Sequence, residues 1–325
     1  MSGDVHETYR WEDRSLILRW LRDPLFMPMV RALPRQITPN QLTLLGHACL
    51  WASAVAALFS SDHGPPVLLT LALGYTAYNL ADTLDGLYAR HSGRTSRIGE
   101  LLDHGLDPVS LGAVLLTYGI VMREPAWLIL ASTTTVTYLQ FVTFLHGYRV
   151  GYVILGEIGV IEGLTLAAAV CVAAAVGGLP LLTRSLVLGV SAAGLLAIGV
   201  IAGGVPAFVS MRALVRHVRD LMPLAVLDAA IVAWFGFGDI GVTTAGLLII
   251  FTSAYQSMIV TCSRLLRLPL ALWDLPLVLM TAVAAGTSMA LGLDAGIQTG
   301  MAGVLIGYAS LRGGRLFFRT VSSLR

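Results

Sequence analysis

Four aspartates, Asp82, Asp85, Asp103 and Asp107, fall within 26 residues of a chain in which only 12% of residues are charged. The stretch reads DTLDGLYARHSGRTSRIGELLDHGLD, spaced as Asp82-x-x-Asp85-Gly86-x-x-Ala89-Arg90, eight residues, then Gly99-x-x-x-Asp103-x-x-x-Asp107. An oxygen-only ligand set without a cysteine or histidine cluster suits a hard cation, Mg²⁺ or Mn²⁺, better than zinc. Two such ions bridged by carboxylates are a device for displacement at phosphorus.

Two helices are needed to position these groups. Asp82, Asp85 and Ala89 share one face of the first helix, and Gly99, Asp103 and Asp107 share a face of the second. Ser92-Gly93-Arg94-Thr95 supplies the turn between them. Two antiparallel helices would then face four carboxylates at one another, which requires cations between them. Gly86 and Ala89 leave a shallow surface beside the acids, and Gly99 permits close backbone approach. The alternative, solvated helix ends pairing with Arg90, Arg94 and Arg97, fits poorly with the apolar sequence around the aspartates.

The surrounding chain is that of an all-α polytopic membrane protein. Its 325 residues are 56% hydrophobic with a mean hydropathy of +0.77, outside the range of a soluble globular domain. Ten runs are long enough to span a bilayer: 41–60, 66–90, 99–121, 125–146, 156–177, 180–203, 221–236, 240–262, 271–291 and 294–311. Every basic residue is an arginine, and with ten spans 19 of the 21 lie on one side, leaving only Arg123 and Arg184 on the other. The positive-inside rule then places both termini, and the open end of the aspartate helices, in the cytoplasm. Cys49, Cys171 and Cys262 lie in separate spans, which gives neither a disulfide framework nor a metal site. The first residues are polar, so the first span is expected to act as the insertion signal. A net charge of +2 says little by itself, and no nucleic-acid partner is expected.

Residues 1–39 form a cytoplasmic and interfacial segment. Within it, 14–33 mixes Arg14, Arg19, Arg22 and Arg31 with Leu16, Trp20, Phe26 and Met29, as an interfacial amphipathic helix does, broken near Pro24 and Pro28. Pro39 suits the start of the first span, where Asn40 and Thr43 either cap the helix or meet a diphosphate. Tyr138 could face a quaternary ammonium by cation–π attraction. Arg212, Arg216 and Arg219 could meet anionic headgroups, and Asp228 stands alone in the seventh span. Glu162 is an intramembrane carboxylate and hence a functional candidate.

The aspartate stretch resembles the signature of the CDP-alcohol phosphotransferase family, D-x-x-D-G-x-x-A-R-x(8)-G-x-x-x-D-x-x-x-D, at every fixed position. Pro39-Asn40-x-x-Thr43 resembles the family's first-helix motif and favours a substrate contact there. Asp103-His104-Gly105-x-Asp107, with Glu100, is most like the choline/ethanolamine branch; the resemblance runs over about 35–165. It implies two divalent ions on Asp82, Asp85, Asp103 and Asp107, and a CDP moiety contacted by Asn40, Thr43, Asp85, Gly86, Ala89, Arg90 and Gly99. It also implies catalytic roles for His104 with Glu162, or for Asp107 as the base used in much of the family. The expected domains are a six-helix catalytic region, 40–203, and C-terminal helices, 204–325, with homodimers as in family members.

The activity this implies moves phosphocholine or phosphoethanolamine from its CDP ester to a diacylglycerol-like lipid, releasing CMP. The alternative within the family takes CDP-diacylglycerol as donor and a polar alcohol, such as inositol phosphate or glycerol phosphate, as acceptor. A cation-coupled transporter would need midplane charges and a repeat between the two halves. The acids cluster instead in one hairpin, with no counterpart in 200–325.

Overall fold

In hydrocarbon every backbone N–H and C=O needs an internal partner, so the apolar runs fold as helices. The computed structural model describes residues 10–210 and 217–324. A strand β1 (Arg10–Asp13) leads into α1 (Leu16–Leu21), a π-helical turn (Arg22–Phe26) and α2 (Met27–Ala32). Then come α3 (Pro39–Leu58), α4 (Pro65–Ser92), α5 (Arg97–Val121) and α6 (Ala126–Val150). The strand β2 (Tyr152–Leu155) precedes α7 (Val160–Gly177) and the short α8 (Leu179–Thr183). A hairpin of β3 (Ser185–Val187) and β4 (Val190–Ser191) joins α8 to α9 (Leu195–Ser210). The remaining helices are α10 (Val218–Phe237), α11 (Val242–Leu266), α12 (Leu275–Leu291) and α13 (Ala295–Leu324). Arg212 and Arg216 lie outside the described residues.

Among the described residues, six helices, α3, α5, α6, α7, α10 and α11, are long and apolar enough to cross a membrane. The expected count of ten is not reached on length and apolarity. One reason is local: residues 180–203 do not form one span but divide into α8, the β3–β4 hairpin and α9. Gly178 and Gly189 adopt left-handed backbone conformations (φ 91° and 78°) that turn the chain there. Glu124, buried in the turn between α5 and α6, holds the hairpin by accepting from the Ser191 amide (3.3 Å) and hydroxyl.

The N-terminal segment is helical from 16 to 32, and its break falls in the π-helical turn that contains Pro24. Phe26 and Val30 bury against Leu42 of α3 and Leu84, Leu87 and Tyr88 of α4. The parallel pairing of β1 with β2, from Arg10 opposite Tyr152 to Asp13 opposite Leu155, ties its start to the α6–α7 connection.

Helix α11 is the centre of the bundle and is buried along most of its length. Glycines set its approach to α5: a Cβ on Gly105 would stand 2.7 Å from Met258, and one on Gly112 2.6 Å from Ile250. Close packing through small residues replaces the hydrophobic drive that water would supply.

A polar node fixes the connection from α11 to α12. Asp274 caps α12 through the Leu277 amide (3.1 Å) and accepts from Tyr255 (2.7 Å) and Tyr308 (3.0 Å), with Arg312 at 3.4 Å. The buried Asp274 carboxylate is thus the common acceptor for groups of α11, α12 and α13. Asp274→Ala should therefore cost about 1–3 kcal/mol, because it leaves the buried Tyr255 hydroxyl without its acceptor and removes the cap of α12. Thermal unfolding of the detergent-solubilised chain checks this, with Asp274→Asn expected to fall between the variant and the parent.

Candidate active site

The aspartates are positioned by how α4 stops and α5 starts. Gly93 takes a left-handed conformation (φ 68°) with its N–H on the Ala89 carbonyl, which ends α4 and reverses the chain. Ser96 then caps α5 by accepting from the Gly99 amide (2.9 Å). The turn expected at Ser92–Thr95 is thus where the helices meet.

Asp82, Asp103 and Asp107 each bring one carboxylate oxygen to within 4.8 Å of the other two, half-buried between the helices. Like charges this close repel. Three oxygen ligands converging from otherwise apolar helices fit a hard divalent cation, which would offset that repulsion. Asp85 stands outside this trio, one turn along α4. Its carboxylate feels the charges of Asp82 and Asp103 and accepts from the buried Thr43 hydroxyl of α3. Thr43 also donates toward the Pro39 carbonyl (3.2 Å), so the first-helix motif is joined to the aspartate helix.

Asn40 lies against Gly99, where a Cβ would meet its Oδ1 at 2.8 Å. This is the close approach for which that glycine is required. The guanidinium of Arg90 folds back over Gly86, whose Cβ would stand 3.3 Å from Nη1. Ala89 sits half-buried on the same helix. His104 is buried, stacked on Phe144 of α6 (ring centroids 5.0 Å), with Nε2 3.7 Å from Asp103 Oδ2. Glu162 is engaged by the N-terminal segment: it accepts from Ser15 Oγ (2.6 Å) and Ile17 N (3.0 Å), and from Gly159 N (2.8 Å) as the cap of α7.

Several partners were not anticipated. Tyr78 donates to Asp107 (2.7 Å), and its place four residues before Asp82, on the same helical face, is a signal the spacing did carry. Arg264 of α11 forms an ion pair with Glu100 in the first turn of α5, and Ser15 reaches Glu162. Both links span more than 140 residues and leave no local trace in the sequence.

Residues 36–205 match the family model described as CDP-alcohol phosphatidyltransferase. Choline/ethanolaminephosphotransferase 2 of Arabidopsis thaliana is 31% identical over 116 residues, 34% of this chain and 30% of that protein. Cholinephosphotransferase 1 of Gallus gallus is 36% identical over 128 residues, 37% of this chain and 38% of that protein. A CDP-diacylglycerol–serine O-phosphatidyltransferase of Encephalitozoon cuniculi is 32% identical over 167 residues, 48% of this chain and 42% of that protein. The matched region thus spans well under half the length of each of these relatives.

Thr43→Val should destabilise the chain by about 1–3 kcal/mol, the cost of a buried acceptor left without its donor. Thr43→Ser should restore most of that loss. Thermal unfolding of the three proteins side by side measures both.

Proposed function

The chain belongs to the CDP-alcohol phosphatidyltransferase family, and on that premise we propose that it transfers phosphocholine or phosphoethanolamine from a CDP-alcohol to a diacylglycerol-like lipid, releasing CMP. The convergence of Asp82, Asp103 and Asp107 within 4.8 Å carries this reading, because such a cluster suits divalent cations that a polyanionic substrate can share. These three, with Asp85 beside them, would hold two Mg²⁺ or Mn²⁺ ions, which when bound supply the positive charge that a diphosphate and departing CMP require.

The chain's own groups do the rest. Phosphoryl-type transfer depends mainly on positioning and electrostatics. Gly86 and Ala89 keep the wall beside the carboxylates low, so a nucleotide can lie against α4 near Arg90. Asn40 and Gly99 bring the starts of α3 and α5 together at the same mouth. Thr43 fixes the Asp85 carboxylate, and Tyr78 fixes Asp107.

His104 is the proposed base. Its Nε2, 3.7 Å from Asp103 Oδ2, stands at the aspartate cluster, where it would take the proton of the acceptor hydroxyl. Tyr78 binds Asp107 as a hydrogen-bond donor and reduces its availability as the alternative base. We assign Glu162 a positioning role: its bonds to Ser15 and Ile17 hold the N-terminal segment across the α7 end of the site. Both termini and the site's mouth are assigned to the cytoplasm on the arginine distribution, and a homodimer is the expected assembly.

A second reading has one specific observation behind it. The serine transferase relative, 32% identical, is named for a CDP-diacylglycerol donor, and that donor would use the same aspartates. CMP release by the purified chain with Mg²⁺ separates the two. CDP-choline or CDP-ethanolamine with diacylglycerol is expected to give CMP, and release only from CDP-diacylglycerol with a polar alcohol would overturn the favoured substrate. In the active pair, His104→Ala should lower kcat by about 10²–10⁴-fold with little change in KM. Normal turnover in that variant would move the base to Asp107.

A further inference from the structure

Behind the aspartate hairpin, an open pocket lies where the ends of α6 and α11 meet. It is lined by Tyr148, Ser263, Arg264, Arg267, Leu268 and Pro269. Its charge is not balanced. Arg149, next to Tyr148, is paired with Asp220 (2.5 Å), and Arg264 is paired with Glu100. Arg267 has no acid within salt-bridge distance among the described residues, so the lining keeps a net positive charge.

The backbone at Arg267 makes that charge notable. Arg267 closes α11 in the left-handed region (φ 55°, ψ 39°), a C-terminal position that glycine fills with less strain. A strained non-glycine residue is a reason to look for function. The simpler account is that a basic residue complements the negative end of the helix dipole. Arg264, one turn earlier, already serves that purpose, and a charge there does not require the left-handed position itself.

From this we propose that the pocket binds a phosphate-bearing anion, either the headgroup of an anionic phospholipid or free phosphate. Arg267 supplies the unpaired charge, Arg264 a second guanidinium, and Ser263 a hydroxyl. Tyr148 braces the wall by donating to the Leu268 carbonyl (3.1 Å). Leu268, about half exposed, and Pro269 give the site an apolar rim of the kind that acyl chains cover. Arg264 also grips Glu100, three residues before Asp103, so an anion bound here shares a partner with the first turn of the aspartate helix.

The left-handed backbone at Arg267 also provides a variant that should fold. Arg267→Gly relieves the strain while removing the charge. The full-length chain in detergent is titrated with short-chain phosphatidylglycerol and, separately, with inorganic phosphate, and binding is read from thermal unfolding. Phosphatidylglycerol binding about fivefold weaker in Arg267→Gly than in the parent, with phosphate inert, identifies a lipid headgroup site. A similar loss in the phosphate arm identifies a free-phosphate site. Equal affinities of parent and variant in both arms overturn the proposal, and because binding is the readout, the result is independent of which CDP-alcohol the enzyme uses.

Discussion

Crowding of carboxylates between two helices is the constraint on which the rest of this structure depends. Asp82, Asp103 and Asp107 are held within 4.8 Å of one another, an arrangement that electrostatics opposes unless something holds the helices and cations join them. The chain meets the first need with specific contacts: Gly93 reverses α4, Ser96 starts α5, Tyr78 holds Asp107 and Thr43 holds Asp85. Residue size matters as much as hydrogen bonding. Gly99 admits Asn40, and Gly46 admits Ala81 of α4, where a Cβ would stand 2.7 Å away.

The hairpin is held from behind as well. Met258 and Ile250 of α11 fill the spaces that Gly105 and Gly112 leave on α5, and Arg264 holds Glu100 at its first turn. One face of α5 thus presents Asp103 and Asp107 to α4, while another is fixed on a helix that lies beyond the family-matched region. The N-terminal segment completes the enclosure through Phe26 and Val30 on α4 and through the Ser15–Glu162 bond. Helix α11 is therefore part of what keeps the aspartates in register.

The aspartate hairpin was readable because its information is local. Helical periodicity put Asp103 and Asp107 on one face, and Gly93 marked the turn, so a motif of 26 residues carried nearly all of its own geometry. The apolar runs were readable for the same reason, since the bilayer permits little besides helix. What escaped depends on distant partners. The division of 180–203 rests on Glu124 reaching Ser191. The engagement of Glu162 by Ser15 joins residues 147 apart, and the Phe144 stack on His104 depends on how α6 packs against α5. Such contacts have no period or spacing for a sequence reading to detect.

The claim that most needs testing is that the aspartate trio is a divalent-cation site. Mn²⁺ binding to the purified chain, followed by electron paramagnetic resonance and displaced by Mg²⁺, addresses it without assuming a substrate. The account predicts tight Mn²⁺ binding at about two ions per chain, lost in Asp103→Asn while the unfolding temperature stays close to that of the parent. Unchanged Mn²⁺ binding in a folded Asp103→Asn protein would contradict it.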